Sequence, residues 1–151
     1  MKDYTYRSIN KNDIFLVKNL WSKLNDIHHD DSIYFKDHFA SFTFEKRITK
    51  FADCGEESIM IQVAESDDRT PVGYCISTVD RDGVGEIDSI FVDDHHRGNG
   101  IGDMLMRTGI SWLRERGCAK IRVGVAHGHE SVFLFYQRYG FFPRMTFLEM
   151  K

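Results

Sequence analysis

The chain has 151 residues, of which 28% are charged and 42% hydrophobic, and its formal net charge is −3. These proportions are typical of globular proteins and exclude disordered, collagen-like and coiled-coil classes. The length suits one domain with a substantial core, so we expect a single domain over residues 1–151. The slight acidic excess provides no basic surface for nucleic acid or an anionic membrane, and we expect neither as a partner.

The cysteines and the N-terminus indicate the compartment. Cys54, Cys75 and Cys118 form no CxxC pair and leave an odd count, which argues against a disulfide framework and favours a reducing environment. The first ten residues lack the apolar core of a signal peptide, and no apolar run approaches the roughly 18 residues of a membrane helix. We therefore expect a cytoplasmic protein.

The hydrophobic pattern predicts the elements in chain order. Residues 4–9 alternate as an edge strand, and apolar residues at helical spacing over 14–24 predict a helix after a cap at Asn10 or Asn12. The aromatic stretch 34–51 predicts one or two more helical pieces. Beyond Gly55 the pattern predicts strands at 59–64, 71–79, about 85–92, 119–126 and 141–150, with helices at 101–116 and 130–139. The order β-α-α-β-β-β-α-β-α-β predicts a mixed α/β fold with helices on the faces of a sheet.

One segment, residues 86–102, carries the clearest chemical signal. Its sequence EIDSIFVDDHHRGNGIG runs from a strand into a glycine-rich helix start, and Gly98, Gly100 and Gly102 alternate across that start. Glycines let backbone N–H groups approach a ligand closely, and a helix N-terminus attracts anions. Arg97 adds a cation at the edge, so the loop suits a pyrophosphate.

Other phosphate-binding loops fit this segment less well. A Walker A loop requires Gly-Lys-Ser/Thr, which is missing, and a dinucleotide fingerprint follows the first strand of its unit rather than a hairpin. A structural turn without a ligand remains an alternative for the glycine pattern.

Two motifs in the correct order resemble the GNAT N-acetyltransferases. The signature V-x₄-[Q/R]-x-x-G-x-[G/A] is matched by Val92, Arg97, Gly100 and Gly102. The downstream FYQRYGF of residues 135–141 is similar to that family's LYxxxGF element. The resemblance is strongest over residues 84–142, and the N-terminal third agrees only in the order of its elements.

The resemblance implies a fold and a co-substrate. The fold is a central mixed, mostly antiparallel sheet of six to seven strands flanked by about four helices, with splayed strands forming the cleft for acetyl-CoA. No metal is implied. The implied contacts to acetyl-CoA come from Ile90, Phe91, Val92, Arg97, Gly98, Asn99, Gly100, Ile101, Gly102, His129 and Phe133. His129 stands where the family often has an asparagine.

The resemblance also implies direct transfer of the acetyl group to an amine. Tyr136 aligns with the tyrosine that protonates the leaving thiolate, although it is also suited to a packing role. An amine with a pKa near roughly 10.4 must lose a proton before attack. Glu86 or Asp88, directly or through water, is the expected base, because both share strand parity with Ile90 and Val92. Binding of a cationic substrate and a solvated position are the alternatives for these carboxylates.

Two further sets of residues have open interpretations. His127 and His129 flank Gly128 near the expected cleft, where they suit a base, while a metal site would lack a third ligand. The aromatic stretch 34–51 is either core or the acceptor wall, where aromatic faces would suit a cationic amine.

The sequence therefore predicts an acetyl-CoA-dependent N-acetyltransferase acting on a primary amine of a small molecule or peptide. A catalytically inactive CoA-binding regulatory domain is the alternative, and a nucleotide-binding domain is a third class. The apolar residues of 141–151 exceed what one face of an edge strand can cover, so a homodimer is retained as an alternative to internal burial.

Overall fold

A computed structural model describes residues 2–151 and shows one five-stranded sheet in the order β1-β2-β3-β4-β5. The strands are β1 (Thr5–Ile9), β2 (Ile59–Glu65), β3 (Pro71–Val79), β4 (Gly85–Val92) and β5 (Ile121–Val123). The pairs β1–β2, β2–β3 and β3–β4 are antiparallel, whereas β5 is parallel to β4. The sheet is therefore mixed and mostly antiparallel, as expected.

Five α-helices flank the sheet, where about four were expected. They are α1 (Lys18–Asp31), α2 (Lys36–Ser41), α3 (Phe44–Ile48), α4 (Ile101–Glu115) and α5 (Phe133–Gln137). Short 3₁₀ turns precede or follow several of them, at Lys11–Val17, Thr49–Phe51, Glu56–Ser58, Asp94–His96 and Glu130–Val132. The aromatic stretch thus forms two short helices, because Phe42 is extended and Thr43 caps a new helix at Lys46 N.

The sheet separates two apolar clusters. On one face, α1 and α3 contribute Trp21 and Phe44 against Tyr74 and Phe91 of the sheet. On the other face, α4 packs its apolar side, including Leu105, Met106 and Leu113, against Cys75 and Ile87. Each fully buried Leu or Met of this kind stabilises the fold by about 1.5–3 kcal/mol relative to exposure. Burial on both faces fixes the position of β4, which lies between the two clusters.

The expectation of six to seven strands is wrong for this chain. The predicted strand at 141–150 forms no strand, and its apolar side chains at Phe142, Phe147, Leu148 and Met150 are exposed. Its alternation is typical of a strand, but no neighbouring strand of residues 2–151 accepts its backbone hydrogen bonds. The predicted strand at 119–126 shortens to three residues, because its parallel pairing with β4 ends at Val123.

Among the helices of residues 2–151, none is both long and apolar enough to cross a membrane.

Candidate active site

A cavity of about 810 Å³ lies where β4 and β5 separate. The two strands pair only from Gly85 opposite Ile121 to Ile87 opposite Val123. Beyond that pair, residues 88–92 of β4 and 123–125 line the cavity from its two sides. The expected splayed strands are therefore present, and the main-chain groups that they no longer share face a common space.

Three groups of helical residues complete the wall of this cavity. The start of α4 supplies one end, with Arg97, Gly98, Gly100, Ile101 and Gly102. Side chains from α1, from α2 and from Phe42 just after it form another part of the wall, which we call the aromatic end, among them Trp21, Leu24, His28 and Phe39. Phe135 and Tyr136 of α5 also line the cavity. The wall thus combines the glycine loop with an aromatic part, and Arg47 and Arg138 add cations to it.

The glycine loop leaves open space in front of the N-terminus of α4. Gly98 and Gly100 both have a φ of +78°, and a Cβ at either position would meet no atom within 4 Å. Gly100 is the N-cap of α4, and no side chain caps the first amides of the helix. These amides carry the positive end of the helix dipole, so the loop is suited to bind an anion.

Two polar residues of this loop have different positions. The Arg97 Nε donates to Val92 O at 3.0 Å, and its guanidinium pairs with Asp94 at 2.9 Å, so the arginine is held at the edge of the cavity. Asn99 is not part of the cavity wall. Its Nδ2 donates to the main-chain oxygens of His96 and Arg97, which fixes the shape of the loop.

Of the remaining residues expected to contact acetyl-CoA, all but one belong to the cavity wall. Ile90, Phe91, Val92 and His129 all line the cavity. Phe91 also belongs to the buried cluster on the α1 face, so it contributes mainly its backbone to the cavity wall. Phe133 lies outside the wall, because α5 turns Phe135 and Tyr136 toward the cavity instead.

Tyr136 presents a protonated hydroxyl to this space. Burial, and to a smaller degree the nearby Cys75 thiol, raises the pKa of Tyr136 to about 12. Its ring is held edge-on between Phe135 and Phe141, at centroid distances of 5.3 and 6.2 Å. At neutral pH the phenol therefore keeps its proton and is available as a donor.

The two expected carboxylates are engaged in an ion-pair network, and of the two only Asp88 belongs to the cavity wall. The Asp88 side chain is fully buried, accepts hydrogen bonds from Lys50 and Thr78, and lies 3.8 Å from Arg47. Glu86 accepts from Lys50 at 3.0 Å and is not part of the cavity wall. Burial lowers the pKa of Lys50, but hydrogen bonds to both carboxylates outweigh burial and raise it.

A β-bulge explains why these carboxylates do not share a face with Ile90. Opposite β4, Ile76 pairs with Ser89 while the next residue, Ser77, pairs with Ile87, so Asp88 is the extra residue. The bulge reverses the alternation, and Ile87 and Ile90 both pack on the α4 face. The parity expected from the sequence is therefore wrong beyond Ile87.

Comparison with known proteins decides the family. Residues 21–141 match the acetyltransferase (GNAT) family. The chain belongs to this family of acyltransferase enzymes. The resemblance stated from the two sequence motifs is thereby confirmed.

Individual GNAT relatives agree with this assignment. An uncharacterized N-acetyltransferase of Methanocaldococcus jannaschii is 29% identical over 147 residues, covering 93% of this chain and 62% of that protein. The chain therefore spans less than two thirds of the length of that relative.

Two solved structures share the GNAT fold. A tetramutant of the BH1408 protein from Bacillus halodurans has a TM-score of 0.75 at 20% identity, covering 97% of this chain and 99% of that one. The PaiA N-acetyltransferase of Thermoplasma acidophilum, solved in complex with coenzyme A, has a TM-score of 0.71 at 15% identity, covering 91% and 88%. At these sequence identities, both similarities show a shared fold and nothing more specific.

Sequence reasoning missed one polar cluster of this GNAT site. His28 and Asp31 of α1 meet His129 at the aromatic end of the cavity, across 98 residues for the Asp31 pair. The signal was the segment AHGHE, in which Gly128 has a φ of +98° and packs against the end of α1. Among residues 2–151, no three His, Cys, Asp or Glu residues are grouped to hold a metal ion.

Proposed function

We propose that this chain is an acetyl-CoA-dependent N-acetyltransferase that moves the acetyl group directly to a primary amine of a small molecule or peptide. The observation that carries this proposal is the cavity between the splayed strands, with the glycine loop at one end and Tyr136 at its side. This one cavity thus combines an anion-binding loop, a main-chain wall and a proton donor.

The residues of the cavity fit acetyl-CoA. The open amides at Gly98 and Gly100, together with Arg97, match a pyrophosphate in charge and leave room for it. Beyond Ile87 the main chain of β4 no longer pairs with β5, so Ile90 offers hydrogen-bonding groups to the amide-containing pantetheine arm, whereas Val92 O already accepts from Arg97 Nε. Bound acetyl-CoA would supply the activated acetyl group as a thioester, and the solved coenzyme A complex of a relative with this fold supports the choice of ligand.

Tyr136 is proposed as the acid of the reaction. Its hydroxyl is protonated at neutral pH because its pKa is raised to about 12. When the bond between the acetyl carbon and sulfur breaks, the hydroxyl donates its proton toward the developing thiolate. A positioned proton donor of this kind contributes about 10²–10⁴-fold to a rate.

The aromatic end of the cavity is proposed as the acceptor site. Trp21, Phe39 and Phe42 present aromatic surface there, and cations are attracted to aromatic faces. An amine bound at this end enters the same cavity as the acetyl group, so attack requires no covalent enzyme intermediate. The same stretch contributes Phe44 and Phe51 to the core, so both interpretations of the aromatic residues apply to different members.

Release of free thiol from acetyl-CoA, measured with a panel of amines, tests this function. The panel contains a polyamine, an aminoglycoside, amino acids and peptides with a free N-terminus. Amine-dependent thiol release supports the transferase. Binding of CoA without release for any amine would instead support the regulatory alternative, in which the cavity only senses the ligand.

We also propose that the segment 141–151 pairs with a second copy of the chain. Its apolar side chains are exposed, with Phe147 and Leu148 at 90% and 94% exposure. Within residues 2–151, β5 is the last strand of the sheet and has an open outer edge. The segment follows α5, whose Phe135 and Tyr136 pack on the same apolar cluster as β5, so a neighbouring copy's β5 edge is a suitable partner. If each copy adds this segment to the β5 edge of the other, the edge gains backbone hydrogen-bond partners and the apolar side chains are covered.

A further inference from the structure

The cluster of His129, Asp31 and His28 has a defined hydrogen-bond arrangement. His129 Nδ1 lies 2.8 Å from Asp31 Oδ2, and the His129 side chain is mostly buried at 17% exposure. A carboxylate only accepts hydrogen bonds, so Nδ1 carries the proton in this contact. In the neutral ring the lone pair then lies on Nε2, the atom that a general base uses.

The loop that carries His129 is fixed to the end of α1. A Cβ on Gly128 would lie 2.1 Å from Asp31 O, so only glycine allows the loop to approach the helix this closely. The Gly128 N–H donates to both carboxylate oxygens of Glu130, at 2.8 and 3.0 Å. These contacts hold the imidazole at the aromatic end of the cavity, where the acceptor is proposed to bind.

The groups around His129 include a second histidine and two carboxylates. The His28 ring lies edge-on to it, with centroids 5.1 Å apart. Burial, and then His129, lower the pKa of His28 to about 4, so His28 is neutral at physiological pH. Asp31 binds His129 Nδ1, and Glu130 on the same loop pairs with His127 at 3.1 Å.

The carboxylates expected as bases are already engaged. The buried Asp88 carboxylate is bound by Lys50, Thr78 and Arg47, and removing it from these cations to accept a proton would be costly. Glu86 lies outside the cavity wall. Proton removal from the acceptor therefore needs another group in the wall.

We propose that His129, oriented by Asp31, takes the proton from the acceptor amine; this assignment rests on the proposed acetyl transfer. The amine nitrogen forms a bond to the acetyl carbon, and the bond from that carbon to sulfur breaks. The proton lost by the nitrogen moves to Nε2 of His129. The sulfur leaves with the electron pair and receives the proton donated by Tyr136. For an acceptor that has already lost its ammonium proton to solvent, the step leaves His129 as imidazolium and Tyr136 as phenolate, and a proton passed from one to the other through solvent restores both. Asp31 is a positioning residue, because it acts only through the ring.

Three variants test this assignment. His129→Gln removes the base, Asp31→Asn removes the acceptor that orients it, and His127→Gln is the matched control on the same loop with its side chain outside the cavity wall. At pH 7 we expect kcat/KM to fall about 10²-fold or more in His129→Gln and less in Asp31→Asn. The wild-type kcat/KM should fall on the acid side of its pH profile, and this limb should be absent in His129→Gln.

The possible outcomes distinguish the role of His129 from the proposed acetyl transfer itself. Stabilisation by CoA should persist in all three variants because the glycine loop is unaltered, and His127→Gln should keep the wild-type pH profile. Wild-type kcat/KM and an unaltered acid limb in His129→Gln would overturn the assignment while leaving the transferase in place. No transfer by the wild type to any amine would overturn the proposed function and the assignment together.

Discussion

Ile87 of β4 and Val123 of β5 form the last parallel pair of the sheet, and the cavity opens directly beyond them. The main-chain contacts proposed for the pantetheine arm depend on this separation of the two strands. The bulge at Asp88 lies one residue beyond Ile87 and turns the remaining β4 side chains over. The β4 main chain at Ile90 therefore no longer pairs with β5, and Val92 O accepts from Arg97 Nε instead.

Gly100→Glu is expected to abolish stabilisation by acetyl-CoA. The substitution places a negative side chain in the open space before α4, where the pyrophosphate is proposed to bind. For the wild type, a hundredfold excess over the dissociation constant should raise stability by about 2.7 kcal/mol. A thermal-shift titration with CoA measures this, and ATP and NAD should give no comparable shift.

The matched control for that variant is Gly83→Glu. Gly83 has the same φ of +78° and the same open surroundings, but it lies in the hairpin turn before β4. Both variants carry the same left-handed strain, so a shared loss of stability is expected and only Gly100→Glu should lose CoA binding. CoA binding retained in Gly100→Glu would remove the glycine loop from the site.

Gly128→Ala is expected to be the most damaging glycine-to-alanine change outside the core. A Cβ there would lie 2.1 Å from Asp31 O, so the loop must move away from α1. Gly140→Ala has a similar φ of +88° with no atom within 4 Å and reports the conformational strain alone. Chemical denaturation should give Gly128→Ala a loss at least ~1 kcal/mol larger than Gly140→Ala. Equal losses would show that the contact with α1 is unimportant.

The stability of the fold should depend on pH through His28. Its pKa is 6.5 in the unfolded chain and about 4 in the folded one, so the unfolded state binds more protons between these values. The contribution is fully present above pH 6.5 and is lost as the pH falls toward 4. Since His28 is partly exposed, we expect it to account for on the order of 1–3 kcal/mol. Denaturation of wild type and His28→Asn at pH 7.5 and 5 measures this, and identical pH dependence would contradict it.

The double variant Phe147→Asp, Leu148→Asp should convert the proposed dimer to a monomer. Light scattering should give the wild type about twice the 17.6 kDa of the chain and the variant a single chain mass. Leu134→Asp changes another exposed leucine, on α5, and should leave the dimer intact. A wild type with the mass of one chain at micromolar concentration would remove the dimer proposal.

Local sequence patterns suffice for most strands and for the long helix α4, because each has a clear period and most end at a turn or glycine. The edge strand β1 is predicted by its alternation as well, although its partner β2 is distant in the chain. The segment 141–150 has the same period but no strand beside it, and a period alone does not show whether a partner exists.

The site was predictable where a single segment carries it. Residues 97–102 form both a sequence motif and one end of the cavity, so their position could be inferred from local order. Asp31 and His129 meet only through the docking of a loop on α1, and the ion pairs of Asp88 depend on a bulge and on Lys50 from a separate turn. Contacts of such sequence separation leave no periodic signal in the chain.

Transfer of an isotope-labelled acetyl group from acetyl-CoA to an amine, followed by mass spectrometry of the product, tests the central claim most directly. The wild type is compared with Tyr136→Phe, which removes only the hydroxyl, and with Tyr4→Phe as the control, since Tyr4 and its hydrogen-bond partner His96, at 3.1 Å, both lie outside the cavity wall. We expect labelled amide from the wild type and Tyr4→Phe, with turnover reduced about 10²-fold or more in Tyr136→Phe at unchanged CoA affinity. Labelled amide formed at the wild-type rate by Tyr136→Phe, or none formed by the wild type with any amine, would contradict it.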